Sequence, residues 1–158
     1  KIVPAREVYS SVEWPVIILL ASVIPLGSAL ESNGTTELIV QVLTKYALTM
    51  EPWLIIAILM IITMTLSDIL NNTATTLVIA PISIQLAQTL NLNTDTFLMA
   101  VAISASCAFL TPIGHKNNTI ILGPGGYRFG DYWRMGILLE VLIISSSIPL
   151  LLFFWPIN

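Results

Sequence analysis

Ser67-Asp68-Ile69-Leu70-Asn71-Asn72-Thr73-Ala74-Thr75 places a polar interruption between two apolar stretches, and its reading decides the fold. The apolar arms run over residues 52–66 and 77–90. Each arm has roughly 14 residues, whereas a spanning helix needs about 20. Two short arms joined by amides and hydroxyls predict a re-entrant hairpin over residues 52–90, its tip near mid-membrane. Irregular backbone is tolerated at that depth only where protein or a water-filled cavity satisfies it. Broken elements of this kind are where secondary transporters hold ions and substrates.

Composition agrees with a bilayer as solvent. The chain has 158 residues, 56% of them hydrophobic and 9% charged, with a net charge of −3. Its mean hydropathy is +0.89. A soluble domain carries about 25% charged residues. The reading is therefore an all-α integral membrane protein in contact with lipid. No basic run or aromatic–basic patch points to nucleic acid. Cys107 stands alone, which gives no disulfide framework and no cysteine-based metal site, and it reads as a small core residue. One histidine without an acid or cysteine cluster falls short of a catalytic metal set, and no nucleophile–base pair is visible. The chain reads as a transporter, with no cofactor, and not as an enzyme.

Working outward from the hairpin, residues 1–13 are polar, begin with Lys1 and read as a cytoplasmic lead-in without a signal peptide. Residues 14–30 form a predicted transmembrane helix. Pro15 suits its first turn, and Pro25 is expected to kink it. In residues 35–48, Leu38, Ile39, Val42, Leu43 and Tyr46 recur at helical spacing among polar side chains. This predicts an amphipathic arm helix lying along the interface. Residues 97–122 read as a broken transmembrane helix: an apolar piece to Leu110, a break at Thr111-Pro112-Ile113-Gly114-His115-Lys116-Asn117-Asn118, and a short stub. Residues 135–155 form the last transmembrane helix, about 21 residues or roughly 31 Å at 1.5 Å each. Trp133 and Trp155 flank it as interfacial anchors. Arg128 and Arg134 put its N-terminal end in the cytoplasm. A transporter is usually built from two related halves, so the other inverted repeat is expected outside this chain.

The two polar breaks carry the candidate chemistry. Carbonyls and hydroxyls suit a hard cation, while amide donors and the positive helix end suit an anion. Asn71, Asn72 and Thr73 offer both kinds of group, and Ser67 lies one turn before the tip. Thr111, the Gly114 carbonyl, His115 and Asn118 offer the same mixture from the second break. Gly114, without a side chain, allows close backbone approach. Asp68 is the one carboxylate of the hairpin. It is either a proton or cation site or the partner of a distant Lys or Arg. Lys116 contacts an anion or snorkels to the surface. Glu140, inside the last helix, faces the bundle or lies near the cytoplasmic interface.

The hairpin stretch quoted above resembles the tip signature of the divalent anion:sodium symporters, solute carrier family 13, with its citrate transporter-like domain. Thr111 to Asn118 and Gly123-Pro124-Gly125-Gly126-Tyr127-Arg128-Phe129-Gly130-Asp131-Tyr132 are similar to the second signature, closest to the long bacterial permeases that carry TrkA-C domains. The resemblance implies the C-terminal part of an inverted-repeat, elevator-type transporter, working as a homodimer in the bacterial inner membrane. It implies an anion, sulfate or a dicarboxylate, carried with sodium between hairpin tips. The family's Ser-Asn-Thr tip falls on Asn71, Asn72 and Thr73, so an amide replaces a hydroxyl at the first position. Its sodium ligands fall on Ser67, Leu70 (backbone), Asn72 and Gly114 (backbone). His115-Lys116-Asn117 stands where dicarboxylate carriers often have Thr-Pro-Pro before the asparagine, which favours an inorganic anion such as sulfate. Two other readings make different predictions: a proton-coupled carrier or exchanger using Asp68, and a structural membrane subunit that would not need two polar breaks.

Overall fold

The computed structural model describes residues 17–18, 21–22, 25, 29, 32–47 and 49–157. The predicted lead-in and most of the predicted helix over 14–30 lie outside these residues. The described chain is helical without a strand: α1 (Thr35–Ala47), α2 (Pro52–Ile69), α3 (Asn72–Thr89), α4 (Thr94–Ala105), α5 (Lys116–Leu122) and α6 (Phe129–Phe154). Among the described residues, α2 and α6 are long and apolar enough to cross a membrane.

The helices flanking the first break are longer than the sequence arms. α2 and α3 have 18 residues each. Ser67 and Asp68 continue α2, while Asn72 to Thr76 already belong to α3, leaving Leu70-Asn71 as the break. The polar side chains responsible for the shorter expectation cap and continue the helices. The Asn71 side chain accepts the Ala74 amide at 2.7 Å, an N-cap bond. The Thr76 hydroxyl donates back to the Asn72 carbonyl at 2.8 Å.

α4 packs against both α2 and α3 and completes the core. Phe97, Ala100 and Val101 of α4 are buried with Met60 and Met64 of α2 and Ile79 and Leu86 of α3. Hydroxyls inside this core use local carbonyls: Thr63 donates to Leu59 and Ser104 to Ala100, each at 2.7 Å. α1 packs on α3, with Val40 in the core and Leu43 against it. Val40 is 3% exposed, whereas Leu38 and Val42 are 63% and 60% exposed.

The second break begins earlier than expected. α4 ends at Ala105, and Cys107, Ala108, Phe109 and Leu110 are not helical although they are apolar. Their backbone is claimed from outside the helix. Asp68 takes the Leu110 amide, and Asn118 donates its side-chain amide to the Ala108 carbonyl at 3.1 Å. A backbone that must hydrogen-bond somewhere follows these partners and not the composition. α6 closes the bundle against α2 and α4. Its far end is fastened to the α3–α4 turn: the Asn93 amide donates to the Ile157 carbonyl, its side chain to the Pro156 carbonyl, and the Thr96 hydroxyl to the Trp155 carbonyl. Asn91, at φ 54, supplies the left-handed residue of that turn.

Two glycines set the spacing of these parts. A Cβ on Gly114 would stand 2.8 Å from the Ser67 carbonyl oxygen and 2.9 Å from the Asp68 Cα, so the break loop lies directly on the α2 backbone. A Cβ on Gly136 would stand 2.6 Å from the Phe109 carbonyl oxygen, so α6 lies equally close to the same loop. Backbone cannot yield as a flexible side chain does. Gly114→Ala and Gly136→Ala are each expected to cost about 1–3 kcal/mol of stability. Gly123→Ala, with nothing within 4 Å of its Cβ, is the neutral control. Thermal unfolding of the full-length protein in detergent checks the contrast.

Candidate functional site

The end of α2, the start of α3 and the loop after α4 meet around Ser67. Its hydroxyl lies 3.0 Å from Asn72 Oδ1 and 2.7 Å from the Ala105 carbonyl oxygen. A hydroxyl has one hydrogen to give, so it cannot satisfy both acceptors at once. Three oxygens therefore converge where Ser67 is fully buried. Ala105 is also the last residue of α4, and Ser67 lies in the last turn of α2. Two negative helix ends thus face one point. This chemistry suits a hard, oxygen-seeking cation.

Asp68 stands next to this cluster and is 3% exposed. Its Oδ1 accepts the Leu110 amide at 2.9 Å and the Thr111 amide at 3.4 Å. The Thr111 hydroxyl returns a bond to the Asp68 carbonyl at 2.6 Å. The same hydroxyl oxygen accepts the Ile113 and Gly114 amides at 3.3 and 3.2 Å. Asn118 bonds the Ala108 and Thr111 carbonyls at 3.1 and 3.3 Å. Asp68, Thr111, Gly114 and Asn118 form one network that fastens the second break to the first. Neither Lys nor Arg among the described residues acts on Asp68. The neighbour that does is the Glu140 carboxyl of α6.

The other sequence candidates sit at the rim. Asn71 and Thr73 are exposed, and Asn72 is half-buried. Asn71, Asn72 and Thr73 open α3, an 18-residue helix whose positive end faces outward at this point. Leu70 is an exposed, extended C-cap whose amide bonds the Leu66 carbonyl. His115 caps α5, its Nδ1 accepting the Asn117 amide at 3.2 Å. Lys116 points to the exterior. Beside the loop, α5 and α6 leave a groove of about 580 Å³ lined by Phe109, Asn118, Ile121, Tyr132 and Leu139. Its walls are mostly apolar and do not suit a small dianion, which loses its hydration there without compensation.

Sequence reading missed the Ala105 carbonyl and the Leu110 amide, because a backbone group carries no residue signature. It noticed Glu140 but could not place it. The available signal was that Glu140 is the one acid in the apolar stretch over residues 132–155.

Known proteins are similar to this sequence. The citrate transporter family matches residues 1–157. An uncharacterized transporter of Synechocystis is 41% identical over 145 residues, covering 92% of this chain and 24% of the relative. The uncharacterized transporter YfbS of Escherichia coli is 30% identical over 154 residues, 98% of this chain and 25% of the relative. The sodium-dependent dicarboxylate transporter SdcS of Staphylococcus saprophyticus is 26% identical over 150 residues, 95% of this chain and 29% of the relative. The chain thus spans about a quarter of the length of these relatives. With a match over nearly its whole length, and with relatives that are named transporters, this chain belongs to the citrate transporter family.

Proposed function

We propose that this chain is the C-terminal part of a secondary transporter that carries an anion, sulfate or a dicarboxylate, together with sodium. The observation that carries the reading is the Ser67 hydroxyl set between Asn72 Oδ1 and the Ala105 carbonyl, at the meeting of two helix C-termini. Sodium rides in this oxygen cluster, with the Leu70 and Gly114 backbones next to it. The anion sits outside it, against the exposed start of α3, where Asn71, Asn72 and Thr73 present amides and side-chain donors. Thr111 and Asn118 act mainly by shaping the loop, and His115 borders the anion. The name of SdcS, a sodium-dependent dicarboxylate transporter, supports the class of both cargoes.

In this reading α2 and α3 form a re-entrant hairpin, and the missing inverted repeat of the full-length protein supplies the second half of the site. The protein works as a homodimer with an elevator-type motion in the bacterial inner membrane. Membership among the TrkA-C-containing permeases belongs to the same proposal.

Three outcomes test it in proteoliposomes of the full-length protein. An inward sodium gradient drives uptake of labelled sulfate or succinate, and Asn72→Ala abolishes it. Uptake that ignores both sodium and Asn72 but follows a pH gradient would replace this reading with the proton-coupled carrier. Ser67→Ala raises the half-saturating sodium concentration by about tenfold, equivalent to about 1.4 kcal/mol, while Ser67→Thr largely preserves it. Asn71→Ser changes the ratio of sulfate to succinate uptake without changing the sodium requirement, read as the two KM values at saturating sodium.

A further inference from the structure

α5 is placed by hydrogen bonds more than by packing. It has 7 residues, none of them buried. A helix this short is marginal by itself, so the polar groups that hold it set its position. The Thr119 hydroxyl donates to the Pro112 carbonyl at 2.6 Å, within the same break. From α6, the Tyr132 hydroxyl donates to the Asn118 carbonyl at 2.8 Å. Within residues 129–136 of α6, Tyr132 and Gly136 are the positions that are not exposed. They are four apart and share one helix face. Gly136 lies on the Phe109 backbone and Tyr132 on α5, so this face holds the second break near both of its ends.

Asn118 passes that hold inward. Its backbone carbonyl accepts from Tyr132, while its side-chain amide donates to the Ala108 and Thr111 carbonyls at 3.1 and 3.3 Å. A side-chain amide has two hydrogens, so both bonds are made at once. Ala108 and Thr111 bracket Leu110, whose amide is on Asp68, and the Thr111 hydroxyl accepts the Gly114 amide. A shift of Asn118 therefore moves the loop whose Gly114 backbone lies on the end of α2. The Tyr132 ring has a separate support: it stands edge-on to Tyr127, with ring centroids 6.1 Å apart. Removal of the hydroxyl alone leaves that ring contact in place.

We propose that Tyr132 is a positioning residue of the transport site, which touches neither cargo and fixes the second break through Asn118. The inference rests on the sodium-and-anion reading above and deepens it: the start of α6 sets the affinity for both cargoes from outside the site.

The test compares wild type with Tyr132→Phe in the full-length protein, by amide hydrogen exchange in detergent and by uptake in proteoliposomes. Exchange over residues 108–118 is about threefold to tenfold faster in the variant, while α2 and α3 keep wild-type rates. The half-saturating anion and sodium concentrations rise by a similar factor, and the maximal rate stays within about twofold. Tyr127→Phe, which takes the hydroxyl from the other ring of the pair, changes neither readout. Added to Asn118→Ala, Tyr132→Phe has no further effect on half-saturation, because the inward path is already cut. Unchanged half-saturation in Tyr132→Phe overturns the proposal, and faster exchange throughout the chain then assigns the hydroxyl to general stabilisation. Unchanged exchange at the break overturns it as well. Multiplying effects in the double variant overturn it in favour of a route that bypasses Asn118. Uptake that ignores sodium sinks the coupling reading alone, since the exchange contrast and the anion half-saturation still decide the role of Tyr132.

Discussion

The bond from the Leu110 amide to the Asp68 carboxylate is the contact on which the rest of the arrangement depends. It joins two irregular segments that would otherwise each leave backbone groups unpaired in an apolar surrounding. The carboxylate stands in for the helical carbonyls that Leu110 and Thr111 lose where α4 stops. The Thr111 hydroxyl completes the exchange by bonding the Asp68 carbonyl at the end of α2. Gly114 then lets the loop lie on that helix end without a side chain between them. Removal of the Asp68 side chain would orphan the Leu110 and Thr111 amides, each worth about 1–3 kcal/mol when buried.

Much of this was legible in the sequence, although the reasons differ from part to part. Asn71-Asn72-Thr73 marked a break because side-chain amides rarely interrupt long apolar runs without cause. The extent of the break was misjudged: Asn72 and Thr76 were counted outside the helix, whereas capping and back-bonding let them continue it. Cys107 to Leu110 failed in the opposite sense. Apolar composition predicts burial well and helicity less well, and their backbone partners come from Asp68 and Asn118, distant in sequence. The pairing of Asp68 with Glu140 was invisible for a similar reason, since helix packing decided it. Which face of α1 meets the core was not legible, because a stripe of Leu38, Ile39 and Val42 serves equally well for lipid or for another part of the protein.

The core divides polar work between two kinds of group. Thr63 and Ser104 spend their hydroxyls on carbonyls of their own helices and leave no chemistry behind. Ser67, also fully buried, reaches instead to another helix and to the break. This contrast separates a hydroxyl that merely fits in a membrane interior from one that shapes a site. α6, with only 6% of its most apolar window buried, leaves a broad face of Met135, Leu138 and Phe153 for lipid tails or for neighbouring helices.

The clasp of Asn93 and Thr96 on the Trp155, Pro156 and Ile157 carbonyls has a consequence for biogenesis. The α3–α4 turn leaves the ribosome well before α6, and its partners follow only after α6 has been synthesised. Formation of α3 and α4 and the fastening of the turn between them are thus separated along the order of synthesis. The order of synthesis therefore makes these three contacts the last to become available to the turn.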